Sequence, residues 1–252
     1  MTPIIEIEHF SLRYADGTES LRDINLAIEE NAITTLFGPG GGGKSTLLRA
    51  LNRLNDLTQV AQVSGRILIH GEDILSPQTN VVELRRRVAI VFARPITLPL
   101  TIYQNVSYGL ELAGIRSRSR LDSEVESALR QAELWEEVYD RLGDPANSIS
   151  GGQQQRLCLA RSLALKPEVI LLDEPTSALD PIATAKIESS LQVLKQTYTI
   201  IIAPHNTQQS ARVADYGAFF LQGELVEYGP RNEIFVQPKD QRTLDYIEGR
   251  FG

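Results

Sequence analysis

The sequence predicts an α/β protein built on a mainly parallel sheet, with an antiparallel β portion near the N-terminus and a helical insert in the middle. Three observations carry this reading. AITTLF at 32–37, VILLD at 169–173 and TIIIA at 199–203 are short runs of almost purely apolar or β-branched residues, the character of strands buried on both faces. Helical patterns follow the first two, TLLRALNRL and IATAKIESSLQVLKQ, and such alternation implies a parallel sheet covered on both sides. The glycine-rich stretch GPGGGGKST at 38–46 lies between a strand and a helix, which is where such a loop has physical meaning.

The elements follow in order. IIEIEHFSLRY and INLAIEE read as the opening strands, and AITTLF as the central one. GRILIHG is a short strand between turn signals, and RRVAIVF reads as another buried strand. After Phe92 the character changes: ARPITLPLT carries two prolines, and then IYQNVSYGLELAG, SEVESALRQAEL and 153–165 favour helix. One nucleotide-binding unit is therefore predicted over 1–252, with a core of 1–92 and 163–252 and a mainly helical part over 93–162. AFFLQGELVEYG suggests a hairpin about Gln222 and Gly223, and NEIF and TLDYIEGR suggest short closing helices. There is no internal repeat and no low-complexity tract. The basic clusters Arg85 to Arg87 and RSRSR at 116–120 are short and read as solvated faces or loops.

A chain of 252 residues can bury most of its apolar surface in one compact unit. It is 42% hydrophobic and 23% charged with a net charge of -7, which argues against electrostatic nucleic-acid binding and against adhesion to an anionic membrane. Membrane association is expected only through a protein partner. No uncharged apolar run approaches the roughly 20 residues of a spanning helix. MTPIIEIEHF has no basic segment followed by an apolar core, so the chain reads as cytoplasmic. The single cysteine, Cys158, excludes an internal disulfide or a multi-cysteine metal site and reads as a small buried filler.

GPGGGGKST matches the G-x-x-x-x-G-K-[ST] pattern. Gly38, Pro39, Gly40, Gly41, Gly42 and Gly43 would turn successive N–H groups toward one anion, and the helix behind them adds the positive end of its dipole. Phosphate is the expected occupant; a merely flexible glycine loop is the alternative. Lys44 would reach the β- and γ-phosphates, Ser45 would offer its hydroxyl to Mg²⁺, and Thr46 beside them is a further candidate for nucleotide binding. VILLD-E places Asp173 and Glu174 at the end of a second buried strand, on the edge of the sheet where ligands bind. Asp173 would hold the Mg²⁺ shell and Glu174 would act as general base, unless Asp-Glu-Pro is a surface turn. His205 follows the third such strand at the same edge and is placed to reach the γ-phosphate or the attacking water, unless it is structural. His9 and His70 lack that context and read as structural. Tyr14, ending the first strand, either stacks on a purine base or packs as a surface aromatic. ISGGQQQR at 149–156 puts a second glycine pair at a helix start and so makes a second anion-binding candidate.

Taken in order, GPGGGGKST, ISGGQQQR, VILLDEP, SALD and the strand end at His205 resemble the ATPase subunit of an ATP-binding cassette (ABC) transporter. SGGQQQRLCLARSLALKPEVILLDEPTSALDPIATAKIE, HNTQQSARVAD and the ending DYIEGRFG resemble the phosphate-import branch of bacteria, and the likeness spans essentially the whole chain. The resemblance implies a P-loop NTPase fold of the RecA-like kind and a cassette that works with a second copy of itself, closing head to tail on two ATP molecules with Mg²⁺. Each ATP would lie between the phosphate cradle of one subunit and Ser150, Gly151, Gly152 and Gln153 of the other. Asp180 in SALD would lie at the same interface, or simply cap the helix that begins at Pro181; both roles are compatible. The further implied partners are two membrane permease subunits and an extracytoplasmic phosphate-binding protein, with no nucleic acid. The implied location is the cytoplasmic face of the inner membrane, as a peripheral subunit.

The chain departs from the family pattern in four places. Ala93 stands where a glutamine normally touches Mg²⁺ and the attacking water and connects to the helical part. Ile149 replaces leucine, a nearly volume-neutral change. Pro204 precedes His205 and removes a backbone donor. Gly40 to Gly42 make the cradle richer in glycine than usual, which adds an ordering cost without removing a donor.

Overall fold

The structure is a computed structural model that describes residues 3–250. The last two residues of the DYIEGRFG ending, Phe251 and Gly252, lie outside it, as do the first two of the N-terminal segment. The chain opens with β1 (Pro3–Tyr14), β2 (Glu19–Glu29) and β3 (Ile33–Phe37), then α1 (Lys44–Leu51), β4 (Val60–Ile69), β5 (Glu72–Asp73), α2 (Val81–Arg87) and β6 (Val88–Val91). A helical stretch follows: α3 (Ile102–Leu112), α4 (Arg118–Gln131), α5 (Trp135–Val138) and α6 (Gly151–Leu163). Strands and helices then alternate through β7 (Val169–Asp173), α7 (Pro181–Leu194), β8 (Thr199–Ala203), α8 (Thr207–Val213) and β9 (Tyr216–Leu221). The described chain closes with β10 (Glu224–Pro230), α9 (Arg231–Ile234) and α10 (Gln241–Ile247).

Two sheets result. β2-β1-β4-β5 form an antiparallel sheet, and β10-β9-β3-β8-β7-β6 form a larger one. In the larger sheet β9, β3, β8, β7 and β6 run parallel and β10 returns antiparallel as the predicted hairpin. Every residue of β3, β7 and β8 is buried, as their unbroken apolar runs require. Pairing of Phe37 with Phe219 and of Asp173 with Ala203 aligns the strand ends. The glycine loop, Asp173-Glu174 and Pro204-His205 therefore leave the sheet along one edge.

Two large cores cover the faces. One combines α3–α6 with Ile170, Leu172, Ile200 and Ile202, so the helical stretch shares its interior with the sheet. The other packs β1, β2, β4 and α1 against Leu36, Leu171 and Ile201 on the opposite face. Consecutive residues of β7 and β8 alternate between the two, as the strand period of two dictates.

The structure corrects two readings. RRVAIVF ends in an edge strand that, among the described residues, pairs only with β7; Ala89 and Ile90 are half-buried, and Arg86 and Arg87 belong to α2. The Arg85 to Arg87 cluster is not simply solvated. Arg85 caps the end of α1 through the Asn52 and Arg53 carbonyls, at 3.2 and 2.8 Å, and Arg87 pairs with Glu168 and Glu72. Asn80 starts α2, its side chain accepting from the Val82 and Glu83 N–H groups. RSRSR is exposed as read, yet it enters α4 at Arg118 with Ser117 as cap.

Candidate functional site

Residues 38–46 wrap tightly because their glycines allow contacts no side chain would. Gly38 has φ 135°, and a Cβ there would meet the Phe220 carbonyl oxygen at 2.0 Å. Gly43, at φ 97°, caps α1 with the Ser20 carbonyl 2.5 Å from where a Cβ would stand. The first turn of α1 has no side-chain cap and no acidic residue, so its N–H groups and dipole are offered to an external anion. The Lys44 ammonium folds back onto the carbonyls of Gly38 and Pro39, both at 2.8 Å. Burial pushes its pKa down from the usual lysine value, against the opposing pull of Glu174 and Asp173.

The carboxylates come from the end of β7. Asp173 is buried and accepts a hydrogen bond from the Ser45 hydroxyl at 2.8 Å. Glu174 leaves the strand in a left-handed conformation, φ 48°, and its N–H donates to the Ala203 carbonyl at 2.8 Å. That turn points a carboxylate that is 45% exposed along the active edge, with His205 Nδ1 3.9 Å from Glu174 Oε2. Ser45 and Asp173 form an oxygen pair suited to a hard cation such as Mg²⁺. Among the described residues no group of three or more His, Cys, Asp or Glu could hold a metal, so a cation here would complete its shell with phosphate oxygens and water. Ala93, just past the end of β6, offers no donor atom.

Tyr14 reaches the same loop from β1. Its hydroxyl hydrogen-bonds the Thr46 hydroxyl at 3.2 Å, and Thr46 is also bonded to Ser20 at 2.7 Å. The Thr46 side chain is thereby used within the protein, leaving its backbone N–H for a ligand. His9 pairs with Asp23 and His70 with Glu168, in line with structural roles.

The second glycine pair forms a separate cluster. Ser150 caps α6 in a reciprocal capping box: its hydroxyl accepts from the Gln153 N–H, and Gln153 Oε1 accepts from the Ser150 N–H at 2.9 Å. Gln153 Nε2 donates to Glu137, so that carboxamide is engaged at both ends. What the helix start still offers is the N–H of Gly151 and Gly152 and the Ser150 hydroxyl proton. Asp180 caps α7, accepting from Ala183 N–H at 2.8 Å, with Pro181 in the first turn. The polar partners of Ser150 and Gln153 are each other and Glu137; those of Lys44 and Ser45 are Gly38, Pro39 and Asp173. The structure thus joins cradle, Asp173, Glu174 and His205 along one edge, and holds Ser150–Gln153 through a different set of contacts.

Sequence reasoning missed Glu137 and its donors Arg156 and Lys186. Arg156 follows Gln153 by three residues, a helical spacing that puts both on one face. No local period connects Glu137 to either helix.

A family model described as ABC transporter matches residues 21–177. Among solved structures, the chain is similar to cbiO1 from Clostridium perfringens, part of the ABC transporter complex cbiONQ, at 29% identity and TM-score 0.81. That match covers 99% of this chain and 97% of the other. It is also similar to the ATP-binding cassette MJ0796, a dimer in a post-hydrolysis state bound to ADP and Pi, at 28% identity and TM-score 0.77, covering 90% and 98%. A bacterial Atm1-family ABC exporter with ATP bound gives 26% identity and TM-score 0.82; all of this chain is covered but only 42% of the exporter. With the family match covering more than half of its length, and with the glycine cradle, the Ser45–Asp173 pair and the capped start of α6 described above, the chain belongs to the ABC transporter family, as an ATPase domain of it.

Proposed function

We propose that this chain hydrolyses ATP to power import of inorganic phosphate through an ABC transporter, with two ATP sites formed head to tail between two copies. The observation that carries the dimeric reading is the division of polar groups into two clusters. One holds an uncapped anion cradle with the carboxylates; the other is a helix start whose Gly151 and Gly152 N–H groups have no acceptor among the described residues. Each cluster is half of a phosphate site.

In this mechanism the free N–H groups of 40–46 and the Lys44 ammonium bind the phosphates, the Gly42 N–H donating instead to the Pro39 carbonyl at 3.2 Å and Lys44 exchanging the Gly38 and Pro39 carbonyls for phosphate oxygens. Tyr14 stacks on the purine. Ser45 and Asp173 would hold Mg²⁺, which supplies charge neutralisation on the β- and γ-phosphates. Glu174 takes the proton from the attacking water, and His205 lies beside it to contact the γ-phosphate. Gly151, Gly152 and Ser150 of the second copy donate to the γ-phosphate, Gln153 orients Ser150, and Asp180 lies at the same interface.

Among the described residues no helix is long and apolar enough to cross a membrane. By its likeness to ABC transporter subunits, the chain would be a peripheral subunit carried by two permease subunits on the cytoplasmic face. Their docking groove is assigned to the segment after Ala93, beside an open cavity of about 650 Å³ lined by Thr101, Tyr103, Gln104, Asp122 and Trp135. The phosphate-binding protein would act through the permease. Phosphate as solute rests on the likeness of 150–188 and 205–215 to the phosphate-import branch; an importer of another solute would share every feature of the ATP site.

Ala93 favours a second reading, a nucleotide switch that hydrolyses weakly. Turnover separates the two: Glu174→Gln should abolish hydrolysis and trap an ATP-bound dimer, whereas a wild type that binds Mg-ATP without turnover, alone or with permease, establishes the switch. For the solute, proteoliposomes holding the permease that copurifies with the chain should take up labelled phosphate only with ATP and binding protein. ATP-dependent uptake of a different solute with none of phosphate would remove that assignment.

A further inference from the structure

Helices α6 and α7 belong to different stretches of the chain, yet they start side by side. A Cβ on Gly152 would stand 2.8 Å from Ala183 Cβ and 4.0 Å from Leu179 Cδ2, so the first turns approach more closely than any other residue at 152 permits. Beside this contact the carboxylate of Glu137, on the short helix α5, lies between the two helices. Its Oε2 accepts from Arg156 Nη2 and Gln153 Nε2, each at 2.9 Å. Its Oε1 accepts from Arg156 Nη1 at 2.9 Å and from the Lys186 ammonium. Arg156 is almost fully buried, and its other contact is the Glu133 carbonyl, so Glu137 is its counter-charge. Four donors from two helices converge on one carboxylate, and together they hold its pKa down to about 2, with the Arg156 hydrogen bonds the largest cause.

We propose that Glu137 is a positioning residue that locks the N-termini of α6 and α7 into one unit, with Lys186 as the strap that carries the lock from the helical stretch to the sheet-covering helix. The proposal rests on the reading above, in which both helix starts face the partner copy's ATP. One branch runs from Glu137 Oε2 to Gln153 Nε2, and from Gln153 Oε1 to the Ser150 N–H, so the carboxylate sets the orientation of the serine that caps α6. The other runs through Lys186 to α7, whose start is Asp180. With both branches made, the two helix starts arrive at the partner in one fixed spacing. With the strap cut, α6 can close without α7, and the site is assembled with its donors misplaced. A misplacement of about 1 Å is enough to cost about a hundredfold in rate.

Lys186→Met is the clean test, because Lys186 is 39% exposed and Glu137 keeps Arg156 and Gln153. Glu137→Ala would strand a buried guanidinium and serves only as a folding control. ATP affinity of the dilute monomer is measured by nucleotide fluorescence, ATP-driven dimerisation by sedimentation in a Glu174→Gln background, and kcat and KM in the Glu174 protein. Removing one charge-assisted bond at a half-exposed site should lower kcat and weaken the dimer about five- to tenfold, with KM and monomer affinity within about twofold. Lys186→Arg should restore most of both. Unchanged kcat and dimer affinity in Lys186→Met, where the parent does dimerise, would overturn the lock; so would an equal loss of monomer affinity, which marks a general disturbance. A Glu174→Gln parent that never dimerises with ATP removes the two-copy reading itself and this proposal with it.

Discussion

On the proposed two-copy reading, the adjacent glycines Gly151 and Gly152 at the start of α6 separate what the monomer needs from what a partner needs. A Cβ on Gly151 would touch nothing within 4 Å, and its φ is not positive, so Gly151→Ala meets no obstacle in the chain itself. Alanine in a helix is favoured over glycine by roughly 0.5–1 kcal/mol, of which the first helical position realises about half, raising the melting temperature by about 0.5–2 °C in a chain of this size. Gly152→Ala differs, because two methyl carbons prefer a separation of about 3.5–4.0 Å. The 2.8 Å available forces the helix starts apart by about 1 Å, an overpacking cost of about 1–3 kcal/mol only partly offset by propensity. Both variants should lose at least about tenfold in turnover, about 1.4 kcal/mol of transition-state binding. Only Gly152→Ala should also lower the melting temperature. The assay is steady-state ATPase activity with calorimetric melting, plus sedimentation with ATP in a Glu174→Gln background. Full turnover and dimerisation in Gly151→Ala would refute the placement of this helix start against a second copy's phosphate, since no contact within the chain could compensate for it.

Further outcomes are expected. Tyr14→Phe loses a hydroxyl bond to Thr46 and keeps the ring, so ATP affinity should hold within about twofold, whereas Tyr14→Ala should lose about 0.5–1.5 kcal/mol of binding by nucleotide titration. Equal affinities for both variants would leave Tyr14 a packing residue. Glu137, with its folded pKa depressed from 4.5 to about 2, contributes stability that is fully present above pH 4.5 and is lost as pH falls through about 2. Direct conversion of that shift gives about 3 kcal/mol, and solvent contact reduces it to about 1–2 kcal/mol. Glu137→Gln should flatten the corresponding part of an acid-unfolding curve between pH 5 and 2, and an unaltered curve would contradict the assignment.

Much of this molecule was legible in the sequence because the relevant signals are local. Short, almost purely apolar or β-branched runs bounded by turn signals favour strands covered on both faces, so AITTLF, VILLD and TIIIA announced the central sheet. Glycines at 38 and 43 are required by positive φ and by backbone oxygens 2.0 and 2.5 Å from any Cβ, and the motif pattern encodes that requirement. Helix α2 went unread: Asn80 as cap and Glu83 three residues on are local signals for it, but the arginines behind them suggested only solvent. The edge position of β6 was not: VAIV has the same composition as a central strand, and its place depends on which strands pair beside it.

The amino-acid order by itself determined the sheet, the anion cradle, the carboxylates at a strand end and the two capped helix starts, since each depends on residues within a few positions of one another. Only the tertiary structure decided that Asp173 meets Ser45 across 128 positions, that Tyr14 spends its hydroxyl on Thr46, and that Glu137 gathers Gln153, Arg156 and Lys186. Those contacts arise from the register of parallel strands and the close approach of two helices, and no local periodicity encodes which distant side chains such packing brings within hydrogen-bond reach.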